Sequence, residues 1–381
     1  MAEARTDPAA QPAKRKRGSI PRWARICTIV GAILMVVSGG LLVTSQALMA
    51  RYEGSVTTEN LFGAEAAAEK PVDIKGPLNI LLVGIDPRNA GDLPLADSIM
   101  ILHVPAGLDR AYLFSMPRDL VVDIPAFPKA QYPGGRGKLN SAMEFGSRVP
   151  SGKLPDRAAG FELLSKTITN YTGIQRFDAG AIVNFSGFKK MVDAMGGVTM
   201  YVDQDKVYSE HMQPNGNVRP MRSCKCDHPF YGPQAVYTRG THHFKGWQAL
   251  DYVRQRYTVV GGDYGRQRHQ QQFIRAMVEQ ATSKGVVANP LKLDKVVRAA
   301  GQALVFNGRG HSIADWAWAL RNLRQESLTL VKLQGGGLQA RSGGYEGEAL
   351  DAKSREFLAA VRSHTVDAFM AANTNMINRD K

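Results

Sequence analysis

An α/β fold, a layered α-β-α domain with a mixed central sheet preceded by one transmembrane helix, is predicted by three features of the sequence. Apolar runs of strand length alternate with helix-period stretches from residue 78 onward, as a layered α/β domain requires. The run LNILLVGI that leads to Asp86 is almost continuously apolar, the pattern of a strand covered on both faces. Between Arg25 and Arg51 lie 25 residues without a charge, enough to cross a hydrocarbon core of about 30 Å.

Residues 1–25 form a basic tail with seven Lys/Arg against Glu3 and Asp7, a net +5 of the chain's +14. Its Lys14–Arg17 run, Arg22 and Arg25 flank the apolar span at 26–50, so the positive-inside rule places the N-terminus in the cytoplasm and the remainder outside. The alternative is a cleaved signal peptide ending in the small residues before Arg51, but the span exceeds the ~7 to 15 apolar residues of such a segment. Residues 51–77 read as a juxtamembrane linker in which EAAAE makes a turn or two of helix.

The folded domain is expected over 78–335. Its first strand ends at Asp86, a second (SIMILHV) is entered through Asp97, and a third (AYLFSM) exits into Pro117-Arg118-Asp119. Three strand ends thus offer Asp86, Asp97 and Arg118, and ligands bind at the strand ends of open α/β sheets. Each aspartate taken alone would equally suit a turn cap. Pro125, Pro128, Pro133 and three glycines make 125–137 a loop, after which Lys138-Leu139-Asn140 opens a short helix. Helices follow over 157–172 and in SGFKKMVDAM, the latter stopped by Gly196-Gly197, with strands in RFDAGAIVNF and VTMYVD. A long irregular insertion is expected at 204–245. Helices are expected over 287–304 and 312–325, then a closing strand in SLTLVKLQ. A C-terminal extension at 336–381 carries one helix over 351–372.

The stretch from Gly246 to Gln271 concentrates Arg254, Arg256, Arg266 and Arg268 beside only Asp251 and Asp263. Arg254 and Arg256 point to one side only in extended chain, so the helix begun at Trp247 should end before them. After Gly261-Gly262, Asp263 suits the N-cap of a second helix, where Arg266 and Gln270 share a face that continues into Phe273, Ile274 and Met277. Arg268 points away and reads as solvated. Guanidinium forks in this number form a phosphate clamp, or else a plain basic surface. Cys27 lies in the span. Cys224 and Cys226 face an oxidising exterior and can pair, or join His228, His242 and His243 at a zinc ion, though the spacing fits no standard ligand pattern. No Walker loop, HExxH, GxSxG or dinucleotide fingerprint occurs.

Taken in order, VGID, ADSIM, SMPRDL, KLNSA, FKGWQALDYVRQRY and GDYGRQRHQQ resemble the LytR-CpsA-Psr family of envelope glycopolymer ligases over about residues 78–280. The resemblance implies a cell-membrane enzyme, single-pass with its catalytic domain outside, that moves an anionic glycopolymer from a polyprenyl-pyrophosphate carrier onto peptidoglycan. It implies Mg²⁺ at Asp86 and Asp97, and pyrophosphate held by Arg118, Lys138, Arg254, Arg256, Arg266 and Gln270. Arg118, Arg254, Arg256 and Asp263 form the implied catalytic set. Two positions depart from the family pattern: Leu95 stands where Arg is frequent, leaving Arg88 as a substitute, and His269 precedes Gln270-Gln271 where Arg is usual. A polyprenyl-pyrophosphate pyrophosphatase and a non-enzymatic polyanion- or lipid-binding envelope protein are the competing readings. Nucleic acid is excluded as a partner because the clamp lies outside the membrane and the cytoplasmic tail is too short for a folded reader. No general base is identified from the sequence.

Overall fold

The computed structural model describes residues 57–379, apart from 70–71, 88, 151–152, 225, 227–228, 283–294, 297, 300, 302–303, 324 and 340–342. The basic tail, the apolar span, residues 51–56, Arg88, His228 and most of the helix expected over 287–304 lie outside the described residues. No described helix is long and apolar enough to cross a membrane.

Strand β1 (Thr57–Thr58) and helix α1 (Gly63–Ala68) precede β2 (Leu78–Ile85), β3 (Ser98–Val104) and β4 (Ala111–Ser115). These three longer strands are the three apolar runs of the sequence, and they pair as an antiparallel meander. A ribbon of β5 (Val121–Ile124) and β6 (Gly135–Lys138) follows, then α2 (Ser141–Gly146) and α3 (Arg157–Thr172). Helix α3 begins where Asp156 accepts a hydrogen bond from the Ala159 amide at 2.9 Å and ends at Gly173 in the left-handed region, a capped start and a glycine stop.

Next come β7 (Ala179–Asn184), α4 (Phe185–Met195) and a hairpin of β8 (Val198–Tyr208) and β9 (Val236–Phe244). The hairpin leads into α5 (Gly246–Arg254) and α6 (Gly262–Thr282). The chain closes with β10 (Leu304–Asn307), α7 (Ile313–Ala319), β11 (Leu328–Val331), the hairpin β12 (Gly335–Gln339) to β13 (Tyr345–Leu350), α8 (Ala352–Arg362) and α9 (Val366–Ala372).

Seven strands join one mixed sheet in the order β1-β10-β7-β2-β3-β4-β11. The pairs β1–β10, β7–β2 and β4–β11 are parallel and the others antiparallel. Period-two alternation gives β2 two apolar faces: Leu81, Val83 and Ile85 meet Phe161, Leu164 and Phe357, while Leu78 and Ile80 meet Phe306 and Trp316. A further core under the β8–β9 hairpin joins Phe188, Val192, Tyr252 and Phe273. Phe357, Leu358, Val361, Val366 and Met370 of the C-terminal extension belong to the first of these cores.

Several segments differ from expectation. The 51–77 stretch, expected as a linker, gives β1 to the sheet and Leu61 and Phe62 to the core, and the helix expected over 312–325 is confined to Ile313–Ala319. The 204–245 stretch is irregular only between Tyr208 and Val236, because its flanks pair as strands. The glycine-rich 335–337 run, whose composition suggests the flank of a flexible connection to the last helix, is strand, paired with β13, and the 125–137 loop gives way to strand at Gly135. The expected 351–372 helix is broken into α8 and α9 at His364, whose φ is 59°.

A pH dependence of stability follows from His103 in β3. The ring is fully buried, pairs through Nδ1 with Asn79 Oδ1 at 2.9 Å, and burial together with His364 pushes its pKa down to about 4. The folded state keeps it neutral, whereas the unfolded chain protonates it below its ordinary 6.5, so stability falls as pH drops from 6.5 towards 4. The loss between pH 7 and 5 should be about 2 kcal/mol. Melting temperatures across that range should fall in the parent and fall less in His103→Gln; parallel curves would contradict this account.

Candidate functional site

Because β2, β3 and β4 are antiparallel neighbours, the exit of β2, the entry of β3 and the exit of β4 share one edge of the sheet. The Asp97 amide donates to the Gly84 carbonyl and the Met116 amide to the Ile99 carbonyl, both at 2.9 Å, which fixes the three ends against one another. Asp97 is itself one of these pinned residues, and Asp86 and Arg118 lie two residues beyond Gly84 and Met116.

Helices α5 and α6 supply the other wall. Helix α5 includes Arg254 and stops at Gln255, which is extended. Gln255 is held by its own donation to the Asp251 carbonyl at 2.8 Å and carboxylate at 2.9 Å, and by the Glu210 amide donating to its Oε1 at 2.8 Å. At Gly265 a Cβ would lie 2.4 Å from the Val260 carbonyl oxygen, so glycine lets the first turn of α6 sit against the preceding loop. Asp263 lies within that first turn rather than capping it, and accepts from Gln267 Nε2 at 3.0 Å.

The two walls enclose a cavity of 240 Å³ lined by Asp86, Asp97, Arg118, Arg254, Arg256 and Arg266, together with Glu210, His211 and Tyr257. Arg254 donates to Asp86 Oδ2 at 2.6 Å, and Arg118 donates to Asp97 Oδ1 at 2.8 Å. Arg266 is buried; it lies 2.8 Å from Asp263 Oδ1 and donates to the Asp97 carbonyl at 3.1 Å. Arg118 Nε is 3.7 Å from the same Asp263 oxygen. Arg256 donates to the Tyr257 hydroxyl and stacks on its ring at 4.5 Å.

Burial, with the charge of Asp86, pushes the Asp97 carboxyl above its ordinary pKa, against the pull of Arg118 and Arg266. Burial also disfavours the charge on Arg266, which Asp263 and Asp97 counteract. Asp263 goes the other way: burial opposes its ionisation, but Arg266, Gln267 and Arg118 hold it below the usual carboxylate range. The wall carries four guanidiniums against three carboxylates. Asp263 behind Arg266 and Arg118 balances the fourth charge, so it is the convergence of fixed forks on one cavity that suits an anion with several oxygens.

Other predicted residues lie elsewhere. Lys138 is outside this cavity, 3.5 Å from Asp119 and over the Tyr345 ring at 5.0 Å. Gln270 is buried below the cavity, accepting from Ser98 Oγ at 2.8 Å and donating to the Val253 carbonyl at 3.4 Å. There it lines a small apolar cavity of 70 Å³ with Leu82, Met100, Phe188 and Phe273. His269 stacks on Tyr252 at 4.4 Å, and Gln271 donates to Ser115 Oγ and the Val331 carbonyl, each at 3.1 Å.

Arg268 is not solvated: it donates twice to Asp203 of β8, at 2.7 and 3.4 Å. Asp203 closes the expected strand VTMYVD, and that strand's placement beside α6, which the sequence did not reveal, is what brings the carboxylate to Arg268. Cys224 and Cys226 are joined in a disulfide, so neither offers a thiolate to zinc. Glu210 and His211 were not singled out by the sequence, because they lie in the irregular 209–235 segment, which is held at the cavity in part by the Glu210–Gln255 contact. Tyr257 lies inside the clamp stretch, and its adjacency to Arg256 was the available signal.

The model of the LytR_cpsA_psr family matches residues 46–356. The chain is 27% identical over 352 residues to the cell wall biosynthesis protein LcpA of Corynebacterium glutamicum, across 86% of this chain and 62% of LcpA. It therefore spans less than two thirds of that relative's length. It is 28% identical over 279 residues to the polyisoprenyl-teichoic acid–peptidoglycan teichoic acid transferase TagU of Oceanobacillus iheyensis, across 71% of this chain and 72% of TagU. In fold it is similar to the crystal structure of B. subtilis TagV, with a TM-score of 0.54 at 21% identity over 77% of this chain and 98% of TagV. With the family model matching most of its length, the chain belongs to the LytR_cpsA_psr family.

Proposed function

We propose that the protein is a membrane-anchored phosphotransferase that moves an anionic glycopolymer from a polyprenyl-pyrophosphate carrier onto peptidoglycan. The observation that carries this reading is the cavity at the strand ends, where Arg118, Arg254, Arg256 and Arg266 face Asp86 and Asp97. Support also comes from the names of its relatives, one a cell wall biosynthesis protein and one a teichoic acid transferase. The 25-residue uncharged span with its basic flank supplies the anchor.

The donor set fits Mg²⁺. Asp86 and Asp97 present hard carboxylate oxygens to one cavity, each giving one oxygen to an arginine and keeping the other. An ion held by one or two carboxylates plus phosphate oxygens and water is the usual Mg²⁺ mode. When bound, Mg²⁺ neutralises phosphate charge and polarises the phosphorus centre. The guanidiniums orient the pyrophosphate and stabilise charge on the departing lipid phosphate. The acceptor hydroxyl oxygen bonds to the sugar-linked phosphorus as that phosphorus loses its bond to the lipid phosphate. The hydroxyl proton leaves with the polyprenyl phosphate. The apolar cavity, whose Ser98 and Val253 are next in chain to Asp97 and Arg254, receives the start of the lipid chain in this reading.

The test incubates the full-length protein in detergent with a defined lipid-linked donor and a peptidoglycan oligomer, with and without Mg²⁺. Attached product that requires Mg²⁺ is expected. Hydrolysis of the donor without attachment would indicate a pyrophosphatase, and retention of the donor without turnover a binding protein.

A further inference from the structure

A second cavity, of 460 Å³, adjoins the phosphate site and shares Arg256 and Tyr257 with it. Its remaining walls come from three separate parts of the chain: Asp119 after β4, Tyr264 in the first turn of α6, and Tyr345 with Glu348 on β13. The Glu348 amide donates to the Asp119 carbonyl at 2.8 Å, which seats the hairpin there. At Gly347 a Cβ would lie 2.5 Å from that same carbonyl oxygen, so only glycine permits so close an approach.

The lining has a definite chemistry. Tyr257 and Tyr345 are each 51% exposed, flat faces of a size to stack on the C–H face of a sugar ring. Glu348 accepts from Tyr264 at 3.2 Å and from Tyr345 at 3.0 Å, which fixes its carboxylate in place, and Asp119, 3.5 Å from Lys138, lines the same cavity. Carboxylates accept from hydroxyls in pairs, and aromatic rings with a few convergent polar groups are the common make-up of a ligand pocket.

Position selects the source of the sugar. The 460 Å³ cavity and the apolar cavity share no lining residue; the first meets the phosphate site through Arg256 and Tyr257, whereas the second adjoins that site along the chain, Ser98 next to Asp97 and Val253 next to Arg254. An in-line displacement brings the nucleophile in opposite the leaving group. With the lipid phosphate departing on the apolar side, the attacking hydroxyl enters from the tyrosine side. We propose that this second cavity is the subsite for the pyranose rings of the acceptor glycan, with Tyr257 and Tyr345 as stacking faces and Glu348 and Asp119 as hydroxyl acceptors. The proposal rests on the transfer reaction given above.

The test uses full-length protein in detergent and a GlcNAc–MurNAc tetrasaccharide as probe, first by calorimetric binding without donor. Binding should weaken about tenfold in Tyr345→Ala and clearly less in Tyr345→Phe, which keeps the stacking ring and gives up only the bond to Glu348. In transfer assays Tyr345→Ala should raise the acceptor KM about tenfold and leave the donor KM unchanged. A parent that does not bind the tetrasaccharide, or a Tyr345→Ala variant that binds it as the parent does, overturns the proposal. A rise in donor KM alone overturns it too, because the cavity would then hold the donor's sugars. Tetrasaccharide binding that depends on Tyr345, with no transfer from any donor, would instead sink the transferase reading and leave a saccharide site standing.

Discussion

Asp97→Asn should lower turnover by at least about a hundredfold while the protein stays folded. The substitution keeps the shape of the side chain and removes its charge, so one of two candidate carboxylates for Mg²⁺ becomes a weak neutral ligand. Arg118 loses its partner at 2.8 Å but retains Asp263 at 3.7 Å, and the backbone bond from Arg266 to the Asp97 carbonyl is untouched. Local structure therefore survives. Calorimetric titration with Mg²⁺, alongside circular dichroism, separates metal loss from misfolding. A folded Asp97→Asn protein with the parent's Mg²⁺ titration would remove that carboxylate from the site.

Arg254→Ala and Arg256→Ala should each lower kcat/KM by about 10- to 150-fold, the effect of losing one charge-assisted hydrogen bond of roughly 1.5 to 3 kcal/mol. Arg254→Lys should also be impaired, because a point charge cannot hold Asp86 and a phosphate oxygen with one planar fork. The charge-matched control is Arg239→Ala on β9, an exposed residue whose partner Asp205 is also exposed; it should stay within about twofold of the parent. Arg268 is unsuitable as that control, since its removal would strand the half-buried Asp203, whose ionised form depends on His269 and Arg268. Equal losses in Arg254→Ala and Arg239→Ala, with matching salt suppression, would favour diffuse electrostatics over a clamp.

What the sequence disclosed depended on whether the physical cause of a feature was local. The runs that became β2, β3 and β4 were legible because burial on both faces demands unbroken apolar residues. Helix 157–172 was legible because Asp156 and Gly173 mark its ends. Strands β9 and β12 were not. VYTRGTHHF and GGGLQ carry too few apolar residues to read as strands, and they exist because β8 and β13 pair with them. The break at His364 was hidden because a left-handed histidine leaves no strong sequence mark.

The site divides in the same way. Asp86, Asp97 and Arg118 sit at strand ends that the apolar runs locate, and antiparallel pairing then gathers them on one edge. Helical spacing put Gln270 on the face of Arg266, yet four residues rise about 6 Å along the axis, which carries Gln270 out of the polar cavity and down to Ser98 and Val253. The ends of α5 and the start of α6 were each placed within a residue or two. Glu210 and His211 depended on where an irregular segment folds back, which no local pattern encodes.

The central claim is that the cavity at the strand ends grips a pyrophosphate through its guanidiniums. The most direct measurement compares the affinity of the full-length protein, at constant Mg²⁺, for the pyrophosphate and the monophosphate of one short-chain polyprenol, in the parent and in the Arg254→Ala, Arg256→Ala double variant. The parent should prefer the pyrophosphate by at least about tenfold and the double variant should lose most of that preference; an undiminished preference in the double variant would contradict the account.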